Sequence, residues 1–114
     1  MKTSELTGAA LDWAVAMAEG ENAETFRLYY ANSGYDQLPP EFHYSTEWEQ
    51  GGPIIEREKI VVIPPHDDIE DWEAYHPTRI HNEEYGPTPL IAAMRCYVAS
   101  KLGEEIEIPK ELQC

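Results

Sequence analysis

The sequence predicts an α+β fold: two main helices plus a short helical turn packed on a small, mainly antiparallel sheet, in a single domain covering residues 1–114. Three observations predict it. Residues 8–19 and 90–102 carry apolar side chains at helical spacing between recognisable caps. Residues 60–63 and 71–76 read as short strands bounded by proline and polar residues. A content of 42% apolar and 11% aromatic residues in 114 supplies one core and is too apolar for a disordered chain.

The first helix begins after Thr7 as N-cap and ends at Gly20, where a left-handed C′ residue is wanted. Ala10, Trp13, Ala14 and Met17 form one face and Leu11, Val15 and Ala18 the next, so this helix is expected to be covered on more than one side, with Trp13 in the core. Asp12 is its one interior charge; a solvent-facing position is the simpler expectation, a role in a site the other. Phe26 to Tyr30 suits a short strand. Asn32-Ser33-Gly34 and Pro39-Pro40 then punctuate a long loop that ends near Tyr44-Ser45-Thr46.

Gly51-Gly52-Pro53 followed by Ile54 and glutamates has the pattern of a helix start with proline at N1, closed by Lys59 after a short turn. Ile60-Val61-Val62-Ile63 reads as a buried strand stopped by Pro64-Pro65. Asp71-Trp72-Glu73-Ala74-Tyr75-His76 alternates, with Trp72 and Ala74 toward the core, and antiparallel pairing of the two strands is the economical arrangement. In the last large element Thr88 is the cap, Pro89 the first residue and Gly103 the stop, with a stripe of Ile91, Met94, Val98 and Leu102. Ile106 and Ile108 alternate with glutamates in a short closing strand.

Charge excludes several functions. Lys and Arg number 8 against 22 Asp and Glu, a net −14, divided as −7 in residues 1–50 and −7 in 51–114. Direct binding along a nucleic-acid backbone needs a basic stripe that this chain lacks. Apolar runs such as Ile60 to Pro65 fall far short of the ~20 residues that span a bilayer. The opening residues show no signal-peptide core, and Cys96 and Cys114 make no disulfide framework, so a cytoplasmic location is expected. Cys96 reads as a small buried hydrophobe rather than a nucleophile.

Chemistry is expected where glycine, proline and a helix start coincide, at Gly51-Gly52-Pro53 and at Tyr85-Gly86-Pro87-Thr88-Pro89. First-turn N–H groups lack intrahelical acceptors and carry roughly half a positive charge together, and glycine lets a ligand approach the backbone. Such ends hold carboxylates and phosphates, though two well-made caps with no ligand would look the same. The candidate ligand-binding residues are therefore Trp48, Gly51, Gly52, Ile54, Arg57, Tyr85, Gly86, Thr88 and Arg95. Arg57 and Arg95 would supply countercharge, and Trp48 and Tyr85 a stacking wall. The competing roles are a structural pair of Arg95 with a glutamate such as Glu56 and a surface pair of Arg57 with a neighbouring glutamate; Arg79 is ambiguous.

His43, His66, His76 and His81 lack metal-ligand spacing, and the His66-Asp67-Asp68-Ile69-Glu70-Asp71 run reads as a solvated acidic loop, so neither metal nor cofactor is expected. His43 or His76 as a general base leaves a small hydrolase open.

Lys2-Thr3-Ser4-Glu5-Leu6-Thr7-Gly8-Ala9-Ala10-Leu11-Asp12-Trp13-Ala14-Val15-Ala16, Gly51-Gly52-Pro53-Ile54-Ile55-Glu56-Arg57-Glu58, Trp72-Glu73-Ala74 and Tyr85-Gly86-Pro87-Thr88-Pro89-Leu90-Ile91-Ala92-Ala93-Met94-Arg95-Cys96-Tyr97-Val98-Ala99 together resemble, in order, the NinX-like family of small bacteriophage proteins of unknown function. Gly20 to Phe42 and Pro64 to Asp71 carry no motif identified with it, and Lys59 stands where members often have glycine. The resemblance implies a phage accessory protein in a bacterial cytoplasm and no particular reaction. The leading expectation is a binding protein without turnover, sequestering a small anionic, nucleotide-like ligand such as a host defence signal, with a homo-oligomer completing the pocket. The alternatives are an acidic protein-interaction inhibitor or nucleic-acid mimic of a host factor and, third, the hydrolase.

Overall fold

The computed structural model describes residues 1–21, 43–77 and 83–112. The strand expected at Phe26 to Tyr30, the Asn32-Ser33-Gly34 and Pro39-Pro40 turns, Arg79, His81 and Cys114 lie outside the described residues.

Helix α1 runs Gly8–Ala18. Thr7 takes an extended backbone but makes no side-chain cap bond. At the far end the Gly20 N–H donates to the Met17 carbonyl at 3.1 Å and the Glu21 N–H to the Ala16 carbonyl at 2.9 Å. With Gly20 at φ 80°, this is the left-handed stop its glycine called for. Residues Ala10 to Ala16 are buried without interruption, as expected of a helix apolar on most faces. The expectation for Asp12 is corrected: it is fully buried, and its Oδ1 accepts the Ser45 N–H at 2.8 Å. With apolar neighbours before and after it on the helix no face is left for water, and the carboxylate is instead tied to the segment leading into the next helix.

That helix, α2, runs Trp48–Glu58 with Glu47 as N-cap. The expected start at Pro53 and the expected short turn are both corrected: this is an eleven-residue helix in which Gly51-Gly52-Pro53 are interior. The Gly51 N–H donates to the Glu47 carbonyl at 3.0 Å, while Pro53 has no N–H to close on the Glu49 carbonyl. Steric fit explains the glycine. A Cβ on Gly51 would stand 2.4 Å from the Tyr44 carbonyl oxygen and 2.5 Å from Leu90 Cδ1, so the backbone itself is the contact surface. The helix ends as read, at Lys59, which takes the left-handed conformation (φ 58°, ψ 41°) that the family's glycine would take without strain.

Strands β1 (Val61–Ile63), β2 (Trp72–Tyr75) and β3 (Glu84–Gly86) form an antiparallel sheet in that order. Val62 pairs with Ala74 and Glu73 with Tyr85. Ala74 is fully buried and Trp72 packs against the core, whereas β1 is only half-buried rather than enclosed. β3 ends at Gly86, so the Tyr85-Gly86 part of the expected glycine-proline helix start lies in a strand. The expected closing strand at Ile106 and Ile108 is also corrected. Those residues face inward as their alternation implies, but the segment meets the start of the chain through the single bridge Lys2–Glu105 and mutual bonds between Met1 and Ile106.

Helix α3 (Pro89–Leu102) packs against β2, β3, α1 and α2 and forms the spine of the molecule. Thr88 Oγ accepts the Ile91 N–H at 3.1 Å, Pro89 is the first residue, and Gly103 (φ 94°) ends the helix. Met94 and Val98 are fully buried, with Ala92, Ala93 and Cys96 beside them, but Leu102 at the end of the stripe is exposed. The class is α+β, with the helices gathered around a three-stranded sheet. No helix among the described residues is long and apolar enough to cross a membrane.

Candidate functional site

The starts of α2 and α3 converge. A groove of about 230 Å³ lies between them, lined by Ser45, Thr46 and Trp48 on one side and by Thr88, Pro89, Leu90 and Ile91 on the other. The close approach permitted by Gly51 brings the two ends together, since its missing side chain leaves room for Leu90. Trp48 stands at the groove with 56% of its surface exposed, a large value for an indole in a chain whose Trp13 is 7% exposed. Ser45 is buried, its N–H is taken by Asp12, and its hydroxyl has no hydrogen-bond partner among the described residues.

Fewer backbone donors are free here than two helix starts suggest. In α3 Pro89 has no N–H, Ile91 donates to Thr88 Oγ and Ala92 to the Thr88 carbonyl, so helix geometry leaves Leu90 as the spare first-turn amide. The α2 start is flanked by Glu47 and Glu49, which oppose an anion.

Of the candidates read from the sequence, Trp48 and Thr88 meet in this groove. Gly51 and Gly86 are packing glycines: a Cβ on Gly86 would lie 2.8 Å from the Ala92 nitrogen. Gly52 is half-buried, with Trp48 Cε3 3.8 Å from where its Cβ would be, and Ile54 is in the core. Tyr85 is exposed on β3.

Both arginines are engaged outside the groove. Arg57 donates through Nη1 to Glu19 Oε1 at 3.1 Å, through Nη2 to Glu19 Oε2 at 2.6 Å and through Nε to Glu58 Oε2 at 3.0 Å. It also reaches the Tyr97 hydroxyl at 3.1 Å, and that hydroxyl in turn donates to Glu19. The Arg57 guanidinium holds Glu19 and Glu58 below the usual carboxylate range. Arg95 does not pair with Glu56; it donates from Nε to the Leu6 carbonyl and from Nη1 to the Tyr85 carbonyl, both at 2.7 Å, joining α3 to the chain start and to β3.

A second groove, of about 270 Å³, is lined by Lys2, Ser4, Glu84, Glu104 and Glu105. Glu84 is 8% exposed, its Oε1 has no hydrogen-bond partner among the described residues, and burial pushes its carboxyl up to about 7 against the pull of Arg95. Sequence reasoning passed over both Ser45 and Glu84: one sat in an apparent loop, the other in a polar run, and neither pattern carries information about burial.

Among the described residues the thiol is buried and the rings of His66 and His76 lie beside carboxylates. Cys96 is fully buried and its thiol is pushed up to about 12, so it holds no thiolate near neutrality. His76 Nε2 lies 3.6 Å from Glu58 Oε1, and His66 Nδ1 lies 3.1 Å from Asp67 Oδ2. The His43 carbonyl accepts the N–H groups of Thr46 and Glu47 ahead of α2. Among the described residues no group of three His, Cys, Asp or Glu is placed to hold a metal ion.

Comparison with curated proteins gives no match. The family model described as Bacteriophage P22, NinX matches residues 2–101 and so takes in α1, α2, the sheet and all but the last residue of α3. The chain belongs to that phage NinX family.

Proposed function

We propose that the chain is a binding protein without turnover that takes the base of a small nucleotide-like ligand into the groove between the α2 and α3 starts. The observation that carries this reading is Ser45: a buried hydroxyl with no partner among the described residues, beside an exposed indole, in a groove of about 230 Å³. A buried polar atom left unpaired costs about 1–3 kcal/mol, which a ligand's hydrogen bond recovers. Stacking on an aromatic ring adds about 1–3 kcal/mol per base. Drug-sized ligands fill roughly 300 Å³ or more, so this groove suits one heterocyclic base, with the sugar and any phosphate outside it.

Among the described residues no cationic side chain lines the groove, and Arg57 and Arg95 are bonded elsewhere. The base therefore supplies most of the affinity and an anionic tail meets only the spare Leu90 amide and the helix dipole. A small signal nucleotide held in this way in the cytoplasm of an infected bacterium would be removed from circulation, an anti-defence use that fits a phage accessory protein; a homo-oligomer would enclose the ligand further.

Tryptophan fluorescence and thermal shift with adenosine, its monophosphate, cyclic dinucleotides and ADP-ribose provide the test. Saturable quenching with a raised Tm is expected, the uncharged nucleoside keeping most of the affinity, and Trp48→Ala and Ser45→Ala each weakening it at least tenfold. No stabilisation by any of them at saturating concentration overturns the reading. The net charge of −14 favours a second one, an acidic inhibitor or nucleic-acid mimic that occupies a host DNA-binding protein. Salt-sensitive competition with DNA for such a protein would distinguish it.

A further inference from the structure

We infer that the groove around Glu84 is a second binding site, one for a small organic cation carrying N–H donors, an alkylammonium or a guanidinium. The groove is assembled by the tertiary fold from three parts of the chain. The N-terminal 3-10 turn (Thr3–Glu5) and the residue before it bring Lys2 and Ser4, the first residue of β3 brings Glu84, and the segment after α3 brings Glu104 and Glu105. These parts are fixed to one another: the Thr3 N–H donates to the Glu104 carbonyl at 2.8 Å, Thr3 Oγ1 to the Gly103 carbonyl at 2.7 Å, and Arg95 Nε to the Leu6 carbonyl at 2.7 Å.

Two independent features point to a ligand. One is charge: three carboxylates and the Lys2 ammonium line the groove, and the Met1 ammonium reaches only the outer one, 3.6 Å from Glu105 Oε2. The other is the unpaired oxygen. Glu84 is 92% buried, 8% being exposed, and its Oε1 receives no hydrogen bond among the described residues, although Arg95 lies close enough to attract it. Arg95 gives its Nε and Nη1 to the Leu6 and Tyr85 carbonyls, and none of its N–H groups is bonded to this oxygen. A lone acceptor in a wall of negative charge is completed by a donor that is also a cation.

The size and the ligand set select the class. A bare divalent ion needs about six oxygens converging at 2–2.6 Å, and no three acidic or histidine side chains among the described residues are grouped for a metal. A groove of about 270 Å³ takes an alkylammonium or a guanidinium, whose several N–H groups reach Glu84 and Ser4 together. Glu84 titrates among Arg95 on α3, Glu83 beside it and Glu104 beyond α3, with Lys2 and Glu105 lining the same space and Asp71 near Arg95; its carboxyl is pushed up to about 7. Ionised Glu84 binds the cation and protonated Glu84 does not, so binding strengthens as pH rises through 7.

The test titrates spermidine and agmatine into the full chain and follows backbone amide NMR shifts at pH 6 and pH 8, with tetramethylammonium as a cation lacking N–H donors. Saturable shifts centred on Ser4, Tyr85 and Glu105 are expected, at least fivefold tighter at pH 8, weakened at least tenfold by Glu84→Gln and absent with tetramethylammonium. Shifts spread evenly over the acidic surface, or reproduced by tetramethylammonium, would reduce the effect to screening and overturn the site; so would unchanged affinity in Glu84→Gln. Should that variant not fold, the exposed pair Glu104→Gln and Glu105→Gln reads the same question: a loss of threefold or more is expected, and no loss overturns the site.

Discussion

Glu19 and Glu84 each stand near an arginine and reach opposite states. Glu19 receives two N–H groups from Arg57 and the hydroxyl of Tyr97, and its carboxyl sits below the usual range. Glu84 has Arg95 beside it, but that guanidinium is bonded to the Leu6 and Tyr85 carbonyls, and burial pushes the carboxyl up to about 7. What separates them is who receives the N–H groups. A guanidinium bonded directly to a carboxylate outweighs desolvation; one spent on backbone carbonyls offers attraction through space, and desolvation wins. The first region is a closed structural network. The second is an open one, which is why it can serve a ligand.

The two regions also impose opposite pH dependences. Glu19 and Glu58 have lowered values, so their stabilisation is present above the usual carboxylate pKa and is lost as pH falls through the folded-state values. Glu84 is raised from 4.5 to about 7, so its folded form holds the extra proton. Its stabilisation is full below 4.5 and is lost as pH rises through 7. Maximum stability is expected at about pH 5, between the two windows.

The largest effect should come from Arg95→Met. It removes two charge-assisted bonds between elements and takes from Glu84 the cation that pulls its carboxyl down, a loss of about 3 kcal/mol or more in urea unfolding at pH 7. A loss under about 1 kcal/mol would mean that those bonds do not hold β3 and the chain start to α3. Next is Glu84→Gln, which should stabilise the protein by about 1–2 kcal/mol at pH 8, change little at pH 5 and flatten the decline between them. Equal urea midpoints for the two proteins at pH 8 would contradict the raised carboxyl.

Tyr97→Phe takes one donor from Glu19 and one acceptor from Arg57 inside the closed network, and about 1 kcal/mol should be lost, with the acid-unfolding midpoint moving to higher pH. Arg57→Lys should cost least, under about 1 kcal/mol, because that side chain is half exposed. If it cost more than Arg95→Met, the ordering of the two regions would be reversed.

Legibility in the sequence followed range. Thr88, Pro89 and Gly103 mark α3, and Gly20 and Lys59 mark the ends of α1 and α2, because a cap acts on amides and carbonyls within a few residues of itself. The antiparallel pairing of β1 with β2 was also readable, from alternation and the prolines between them. The α2 start was misread because glycine and proline have a strong local meaning that the Gly51–Leu90 contact overrides. β3 was missed because three residues carry no period. The convergence of two helix starts was a condition that spacing could pose and not answer.

The residues alone determined the composition of a phage family member, the helical periods, the caps and a net charge of −14, since all of these are local or additive properties. Tertiary structure decided that Asp12 is inside and bonded to Ser45, that Arg95 holds carbonyls 10 and 89 residues away, and that Glu84 is buried with an oxygen to spare. Burial and partnership arise between segments distant along the chain, and the free energy of a charged group depends on both.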